Sequence, residues 1–312
     1  MYSKPKTLNP DPHAETQPNY TVELLNQKPA RQIPRKSRRW LRGCGCFVFL
    51  VVLFLCGISS IYAFFPVRTN LLVLGIDRSP EGTAISRSDT NILFTVLPLR
   101  PYIGMLSIPR DLWVKIPGVG ENRINTAHFF AETAQPGSGP KALMETIRQN
   151  FGAPVNYYVR VNFQGLVNFI DALGGLDVHL DARMAGYKPG NHHLSGEQVL
   201  AFVRDRQGTD DFFRMQQGQF IIKEVWGQLL QPKSWPRIPL AVAAFPGFLD
   251  TNLPVWVWPR LGLALLRLGP NGIDSRVITR EMTNPFTTSE GAQVLGPNWD
   301  AINPMIKEMF GQ

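Results

Sequence analysis

Cysteine is scarce in this 312-residue sequence, and it is confined to one segment. Cys44, Cys46 and Cys56 all lie within residues 43–65, so residues 66–312 contain none. That part of the chain must therefore fold without disulfide bonds. It also lacks a cysteine nucleophile, and no G-x-S-x-G motif offers a serine in its place.

Signatures of nucleic-acid binding are also missing, since no zinc-finger, basic-zipper or RNA-binding motif is present. The net charge is +8, but residues 1–42 hold nine Lys/Arg and three Asp/Glu and account for +6. The remaining 23 basic and 21 acidic residues give +2. The basic character therefore belongs mostly to the N-terminal stretch, and we expect no nucleic-acid partner.

The first 65 residues predict a tail followed by a membrane span. Residues 1–42 are rich in proline and polar residues, which is typical of disorder. Residues 43–65 carry no charge over 23 positions, enough for a helix across a hydrocarbon core of about 30 Å. A signal peptide would have a shorter apolar region nearer the start. The basic flank predicts a cytoplasmic N-terminus and places residues 66–312 outside the membrane.

Three short apolar runs follow, at 71–76, 92–97 and 102–108, and each is typical of a buried strand. Charged residues stand at their ends. Asp77 closes the first run, Arg87 and Asp89 precede the second, and Arg110 follows the third. If the first two strands pair as neighbours, these ends meet at one edge of the sheet, and the end of the third can join them.

Such a group of charges suits a metal ion bound to a multiply charged anion. Carboxylate oxygens bind hard cations such as Mg²⁺, and guanidinium groups bind phosphate oxygens in pairs. The plainer interpretation is a set of ordinary salt bridges at strand ends. For any one residue the two interpretations are equally good, whereas the group as a whole favours a site.

A second group of arginines lies further along the chain. Residues 194–206 predict a helix capped by Ser195. Arg204, Arg206 and Arg214 bracket the loop that follows, and Arg214 falls in the first turns of a long helix. The helix dipole disfavours a cation there, so a bound anion would explain its presence.

The remaining pattern predicts an α/β protein. A strand at 155–161, a helix at 163–173 and a strand at 176–180 follow one another, which favours an α/β sheet. His192 and His193 fall in a predicted loop, where a surface position is favoured over a metal site. Residues 253–268 predict a core helix, with a membrane-facing or lipid-covering helix as the alternative.

Seven ordered motifs resemble the LytR-CpsA-Psr family from about Asn70 to the C-terminus. These motifs are GIDR, RSDT, SIPRD, RIN, FxGLVNFIDALGGLDV, LSGEQVLAFVR and DFFR. The resemblance implies a central mixed β-sheet flanked by helices (an α-β-α arrangement) with an apolar lipid tunnel, preceded by one transmembrane helix. It also implies a phosphotransferase in the bacterial plasma membrane. Such enzymes move a glycopolymer from a polyprenyl pyrophosphate carrier to peptidoglycan, so membrane lipid, glycan carrier and peptidoglycan are the expected partners.

The resemblance also assigns roles to single residues. Asp77 and Asp89 would bind Mg²⁺, with Mn²⁺ as the other candidate, and Asp89 and Arg110 would be catalytic. Five arginines would bind the pyrophosphate, and Asp211 would orient them. These arginines are Arg87, Arg110, Arg204, Arg206 and Arg214.

One departure and three alternatives accompany this assignment. The family usually reads R-x-x-R-Q-Q here, whereas Gln217 and Gly218 replace the second Arg and the first Gln. The alternatives are a pyrophosphatase that uses water, a non-catalytic regulator that binds prenyl phosphate, and a cytoplasmic DNA-binding regulator. The predicted topology argues against the last.

Overall fold

This computed structural model describes residues 39–64, 68–77, 85–97, 102–205, 211–244 and 249–311. The chain divides into two units, Met1–Cys56 and Gly57–Gln312. The predicted disordered tail falls almost wholly outside the described residues. The predicted boundaries at 42/43 and 65/66 stay predictions.

The first helix, α1, runs from Arg39 to Phe64. Its described side chains, at 47–61, are exposed and mostly apolar. Among the residues that the structure describes, no helix is both long enough and apolar enough to cross a membrane. The membrane span at 43–65 therefore stays a prediction.

The rest of the described chain contains twelve strands and eight helices. The strands are β1 (Thr69–Ile76), β2 (Ser88–Leu97), β3 (Tyr102–Ser107), β4 (Trp113–Ile116), β5 (Gly120–Arg123), β6 (Tyr157–Asn162), β7 (Leu176–Leu180), β8 (Gly190–Leu194), β9 (Leu249–Thr251), β10 (Ile273–Val277), β11 (Thr283–Thr287) and β12 (Gln293–Pro297). The helices are α2 (Thr126–Ala134), α3 (Gly139–Phe151), α4 (Phe163–Leu173), α5 (Gly196–Arg204), α6 (Asp211–Leu230), α7 (Ile238–Ala243), α8 (Trp258–Leu268) and α9 (Trp299–Phe310).

A six-stranded mixed sheet forms the centre, in the order β10-β3-β2-β1-β6-β9. The pairs β1–β6 and β10–β3 are parallel, and the other three pairs are antiparallel. The first two strands thus pair as neighbours, which was the condition for the predicted site, and the third pairs with the second. Because β1 and β3 run opposite to β2, the end of β1, the start of β2 and the end of β3 share one edge.

Apolar side chains cover both faces of this sheet. Leu72 and Leu74 of β1 pack on one face in a core that includes residues of α3 and α9. Leu71 and Val73 point to the other face, where α8 packs. Alternation along a strand explains this split, and burial on both faces explains why the strands read as continuous apolar runs. The predicted arrangement of a mixed sheet flanked by helices is therefore confirmed.

Two local predictions were wrong. The strand at 176–180 does not join the central sheet but pairs with β8 in a separate two-stranded sheet. Its burial alternates, with Val178 buried and Asp177 and His179 exposed, so one face stays in solvent, unlike the central strands. His192 and His193 lie in β8 rather than in a loop. Their predicted surface position holds for His193, which is exposed.

Candidate active site

The predicted charges meet at the shared edge of β1, β2 and β3. Asp77 directly follows β1, and Arg110 lies three residues beyond β3. Ile76 pairs with Ser88 and Gly75 with Thr90, so Asp89 is the extra residue of a β-bulge. Its carboxylate accepts a hydrogen bond of 2.9 Å from Nη1 of Arg110. The bulge thus points Asp89 at the end of the third strand.

Arg110 is the cation around which the carboxylates gather. Its Nε donates to Oδ2 of Asp211 on α6 at 3.2 Å and lies 3.5 Å from Oδ2 of Asp111. The side chain is 21% exposed. Burial alone would lower the pKa of Arg110, but Asp211, Asp111 and Asp89 raise it above its ordinary value. Arg110 therefore stays charged at every working pH.

Asp111 and Asp211 both lie beside Arg110, and each affects the pKa of the other. Burial raises the pKa of Asp111 despite the opposing pull of Arg110 and Arg123. Burial also acts to raise the pKa of Asp211, yet Arg110 and Arg214 outweigh it and hold that pKa below its usual range. The predicted site did not include Asp111, although its place next to Arg110 was the available signal.

Arg204 and Arg214 bring guanidinium groups from two helices. Arg204 ends α5 and donates from Nη2 to Oδ1 of Asp77. Arg214, in α6, donates from Nη1 to Oδ1 of Asp211 at 3.1 Å. The Nε of each is buried and has no hydrogen-bond partner in the described part of the chain. These two donors remain available to an anion.

Arg87 and Arg206 are the other two predicted arginines. Arg87 is exposed and stands one residue before β2. Arg206 lies outside the described residues, so its predicted role was not tested. Arg123, within the RIN motif, lies in β5 with its Nε 3.2 Å from Oδ1 of Asp111.

A buried histidine supports the backbone next to this edge. Nδ1 of His128 lies 2.8 Å from the carbonyl oxygen of Ser86, so Nδ1 carries the proton. Its Nε2 is 3.4 Å from Nη1 of Arg160, which also pairs with Glu132 at 3.2 Å. The Ser86 hydroxyl donates to the carbonyl oxygen of Asp77 at 2.6 Å. Burial lowers the pKa of His128, so it remains neutral near pH 7.

The departure from the family pattern lies on α6. Gln217 is fully buried, and neither polar atom of its side chain has a hydrogen-bond partner among the described residues. Nothing lies within 4 Å of the position that a Cβ on Gly218 would take. Gln219 is buried as well, and its Nε2 donates to Oγ of Ser107 at 2.9 Å and to the carbonyl oxygen of Arg276 at 2.7 Å.

A cavity of about 460 Å³ opens from the charged edge along the sheet. Asp89, Arg110, Asp211 and Arg214 line one part of it. Apolar side chains from the sheet and from α4, α6 and α8 line the rest, for example Val73, Phe94, Val159, Phe169, Ile222 and Leu265. Its size suits a small-molecule ligand. The arrangement fits an amphiphile with an anionic end and an apolar body.

The predicted metal site contains few oxygen donors. In the described residues, no group of three or more His, Cys, Asp or Glu could hold a metal ion. Asp77 and Asp89 are two carboxylates at the ends of paired strands. Mg²⁺ is commonly held by one or two carboxylates together with substrate phosphates and water. These residues therefore fit a metal ion that arrives with an anionic ligand.

Comparison with known sequences gives a consistent family. A model described as the LytR_cpsA_psr family matches residues 67–310. Regulatory protein MsrR of Staphylococcus aureus (strain Mu50) is 28% identical over 195 residues, covering 60% of this chain and 57% of the relative. Polyisoprenyl-teichoic acid--peptidoglycan teichoic acid transferase TagU of Oceanobacillus iheyensis is 39% identical over 142 residues, covering 44% and 43%. The chain thus spans about half the length of these relatives.

A solved structure shares the fold over most of the chain. YwtF (TagT), with bound octaprenyl pyrophosphate lipid, matches with a TM-score of 0.59 and 22% identity. The match covers 80% of this chain and 92% of that one. TagT is a Bacillus subtilis protein. The likeness shows a common architecture around the central sheet.

Proposed function

The chain belongs to the LytR-CpsA-Psr family, and we propose that it is a phosphotransferase that moves a glycopolymer from a polyprenyl pyrophosphate carrier to peptidoglycan. The product would be a phosphodiester. TagU is named a teichoic acid transferase, and TagT is known with a prenyl pyrophosphate lipid, which supports this substrate class. The observation that carries the proposal is the cavity in which four charged residues meet a mostly apolar lining.

In this proposal the apolar and the charged parts of the cavity bind different parts of the lipid-linked substrate. The prenyl chain lies against the apolar side chains of the sheet and of α8. The pyrophosphate lies at the charged edge. There the Nε–H groups of Arg204 and Arg214 are hydrogen-bond donors without a partner among the described residues. Charge-assisted hydrogen bonds to phosphate are stronger than neutral ones, so these donors hold the diphosphate in place. Arg87 is exposed beside the same edge, and in this proposal it binds the phosphate that carries the glycan.

The chemistry is a transfer from one oxygen to another at phosphorus. A hydroxyl oxygen of the peptidoglycan acceptor attacks the phosphorus that carries the glycan. The phosphoanhydride bond breaks, prenyl phosphate leaves with the bonding electrons, and the hydroxyl proton passes to Asp89. Arg110 stabilises the charge that develops on the leaving oxygens. Asp211 fixes the plane of Arg110 through their hydrogen bonds.

A divalent cation completes the proposed site. Asp77 and Asp89 would hold Mg²⁺ or Mn²⁺, which supplies neutralisation of negative charge on the pyrophosphate oxygens. Arg204 now contacts Asp77 and Arg110 contacts Asp89. In both cases the arginine keeps the carboxylate oriented towards the edge at which the anion binds.

The location in the cell follows from the sequence pattern. We propose a single-pass protein of the bacterial plasma membrane, with a cytoplasmic N-terminus and the domain of residues 66–312 outside. A protease added to intact protoplasts should remove the C-terminal domain. Complete protection of that domain, with cleavage after lysis, would contradict the orientation.

Transfer is tested with the full chain in detergent micelles. It is incubated with a synthetic prenyl-pyrophosphate glycan and a peptidoglycan oligomer, with Mg²⁺ or with EDTA, and the products are identified by mass spectrometry. We expect a metal-dependent phosphodiester product that is lost in Asp89→Asn. The matched control is Asp181→Asn, since the Asp181 side chain is 98% exposed in the segment between β7 and β8. Unchanged turnover in Asp89→Asn would refute the assigned role.

A second candidate function is a regulator or binding module that holds prenyl phosphate without turnover. Gln217 favours it, because a buried amide without partners stands where the family usually has an arginine. The relative MsrR is named a regulatory protein. In the same assay, bound but unchanged lipid would support this function. Release of glycan phosphate without an acceptor would instead support a pyrophosphatase.

A further inference from the structure

Exposed apolar side chains are concentrated in one part of the sequence. After residue 66, the described chain has ten exposed large hydrophobic residues, and seven of them lie between positions 235 and 266. A soluble surface usually scatters such residues singly. The seven are Trp235, Leu240, Val242, Val255, Trp256, Trp258 and Leu266. This concentration calls for a partner that covers apolar surface.

The helix α8 and the 3₁₀ turn before it have two apolar faces. On the inner face, Leu261 and Leu265 line the cavity. On the outer face, Val255 is 80% exposed, Trp256 is 67% exposed and Leu266 is 62% exposed. We call these three residues the Trp256 face. One helix therefore separates the cavity from an exposed apolar surface.

Trp258 connects the two faces. It lines the cavity and is also 37% exposed. The cavity wall and the Trp256 face thus meet at this side chain. Whatever covers the Trp256 face lies next to the apolar part of the cavity.

Helix α8, which carries part of the Trp256 face, has one exposed charged side chain, and it is a cation. Helix α8 contains Arg260, which is buried, and Arg267, and it has no acidic residue; Asp250 and Asp274 lie outside it in the sequence. Arg267 is exposed at the end of α8. Tryptophan and arginine together are typical of segments that lie in the interface of a bilayer, where the indole ring has both apolar and polar surroundings. Anionic lipid headgroups attract such segments.

We propose that the Trp256 face rests in the headgroup region of a bilayer that carries anionic phospholipid. Its apolar side chains insert at the boundary between headgroups and acyl chains, and Arg267 contacts the lipid phosphates. The cavity wall formed by α8 then lies directly against lipid. This inference does not depend on the proposed transfer reaction, because it concerns only where the domain rests.

The test uses the full chain reconstituted into vesicles of phosphatidylglycerol and phosphatidylcholine with brominated acyl chains. Bromine quenches tryptophan emission at short range. The difference in emission between the wild type and Trp256→Phe isolates Trp256 among the seven tryptophans. A matched variant, Trp113→Phe, isolates a tryptophan of β4 that packs edge-to-face against Phe286. Since other segments can hold the chain on a vesicle, a residue-specific signal is required rather than binding itself.

We expect bromolipid to quench the Trp256 component roughly twofold or more and to leave the Trp113 component unchanged. Vesicles of phosphatidylcholine alone, or high salt, should weaken the quenching. Equal quenching in neutral vesicles would contradict the proposed preference for anionic phospholipid. An unquenched Trp256 would overturn the proposal, and a dimer in detergent that Leu266→Glu dissociates would assign the Trp256 face to a second copy of the chain.

Discussion

Arg110→Met should destabilise the protein in a manner that depends on pH. The substitution keeps an unbranched apolar stem, which is shorter than arginine, and removes the cation that contacts Asp89, Asp111 and Asp211. Removing one partner of a buried ion pair costs about 3–5 kcal/mol, whereas an exposed pair contributes about 1 kcal/mol or less. Because the Arg110 side chain is 21% exposed, we expect the free energy of unfolding to fall by about 2–3 kcal/mol at pH 7.

The pH dependence has a definite sign. Although burial acts to raise the pKa of Asp211, Arg110 and Arg214 hold it below its ordinary value. Such a carboxylate contributes stability above its unfolded pKa, about 3.9, and this contribution is lost as the pH falls. In the variant the carboxylates accept protons more readily. The difference in the free energy of unfolding between wild type and Arg110→Met should therefore become smaller below about pH 4.

Urea unfolding followed by tryptophan fluorescence measures this difference at about pH 7 and pH 3.5. The control is Lys233→Met, because Lys233 pairs with Asp177 at 2.6 Å and its side chain is 61% exposed. That variant should lose about 1 kcal/mol or less. A loss in Arg110→Met that is equal at both pH values, or no larger than in the control, would refute the reasoning.

Three further predictions concern stability. Gly218→Ala should stabilise α6 by about 0.5–1 kcal/mol, because the new methyl group meets no atom within 4 Å and glycine is costly inside a helix. Gly196→Ala should destabilise, since its Cβ would lie 2.2 Å from the carbonyl oxygen of Val167, and urea midpoints of both variants check the pair. Burial lowers the pKa of His128 beneath its ordinary value near 6.5, so stability should fall as the pH drops below about 6.5. This fall in stability should be absent in His128→Gln. Urea midpoints measured between about pH 7.5 and 5 test this, and equal changes in wild type and His128→Gln would contradict the argument.

Much of the architecture follows from local patterns. The helix α4 begins and ends where the sequence predicted, because Asn162 caps its first turn and Gly174 adopts φ 86° at its end. Ser195 and Gln198 form the predicted capping box of α5. These signals act within a few residues, and tertiary packing has no reason to override them. The pairing of the first three strands was predictable for the same reason, since short connections favour neighbours.

Other features depend on contacts between distant parts of the chain. The alternation of residue types does not reveal the bulge at Asp89. The sequence could therefore place the Asp89 carboxylate at the edge of the sheet, but it could not predict its hydrogen bond with Arg110. The pairing of β7 with β8 depends on which sheet offers a partner, and the strand pattern is the same in either case. His128 reaches Ser86 across 42 positions. No spacing rule connects such a pair.

Gln219 fixes the rotational setting of α6. Its buried amide bonds the side chain of Ser107 at the end of β3 and the backbone of Arg276 in β10. A shift of one residue along a helix is a 1.5 Å translation and a rotation of about 100°. Such a shift would remove both bonds and leave a buried amide unpaired. Arg214, five residues earlier on the same helix, therefore has a fixed origin, and ligand binding can reorient its side chain without turning the helix that carries it.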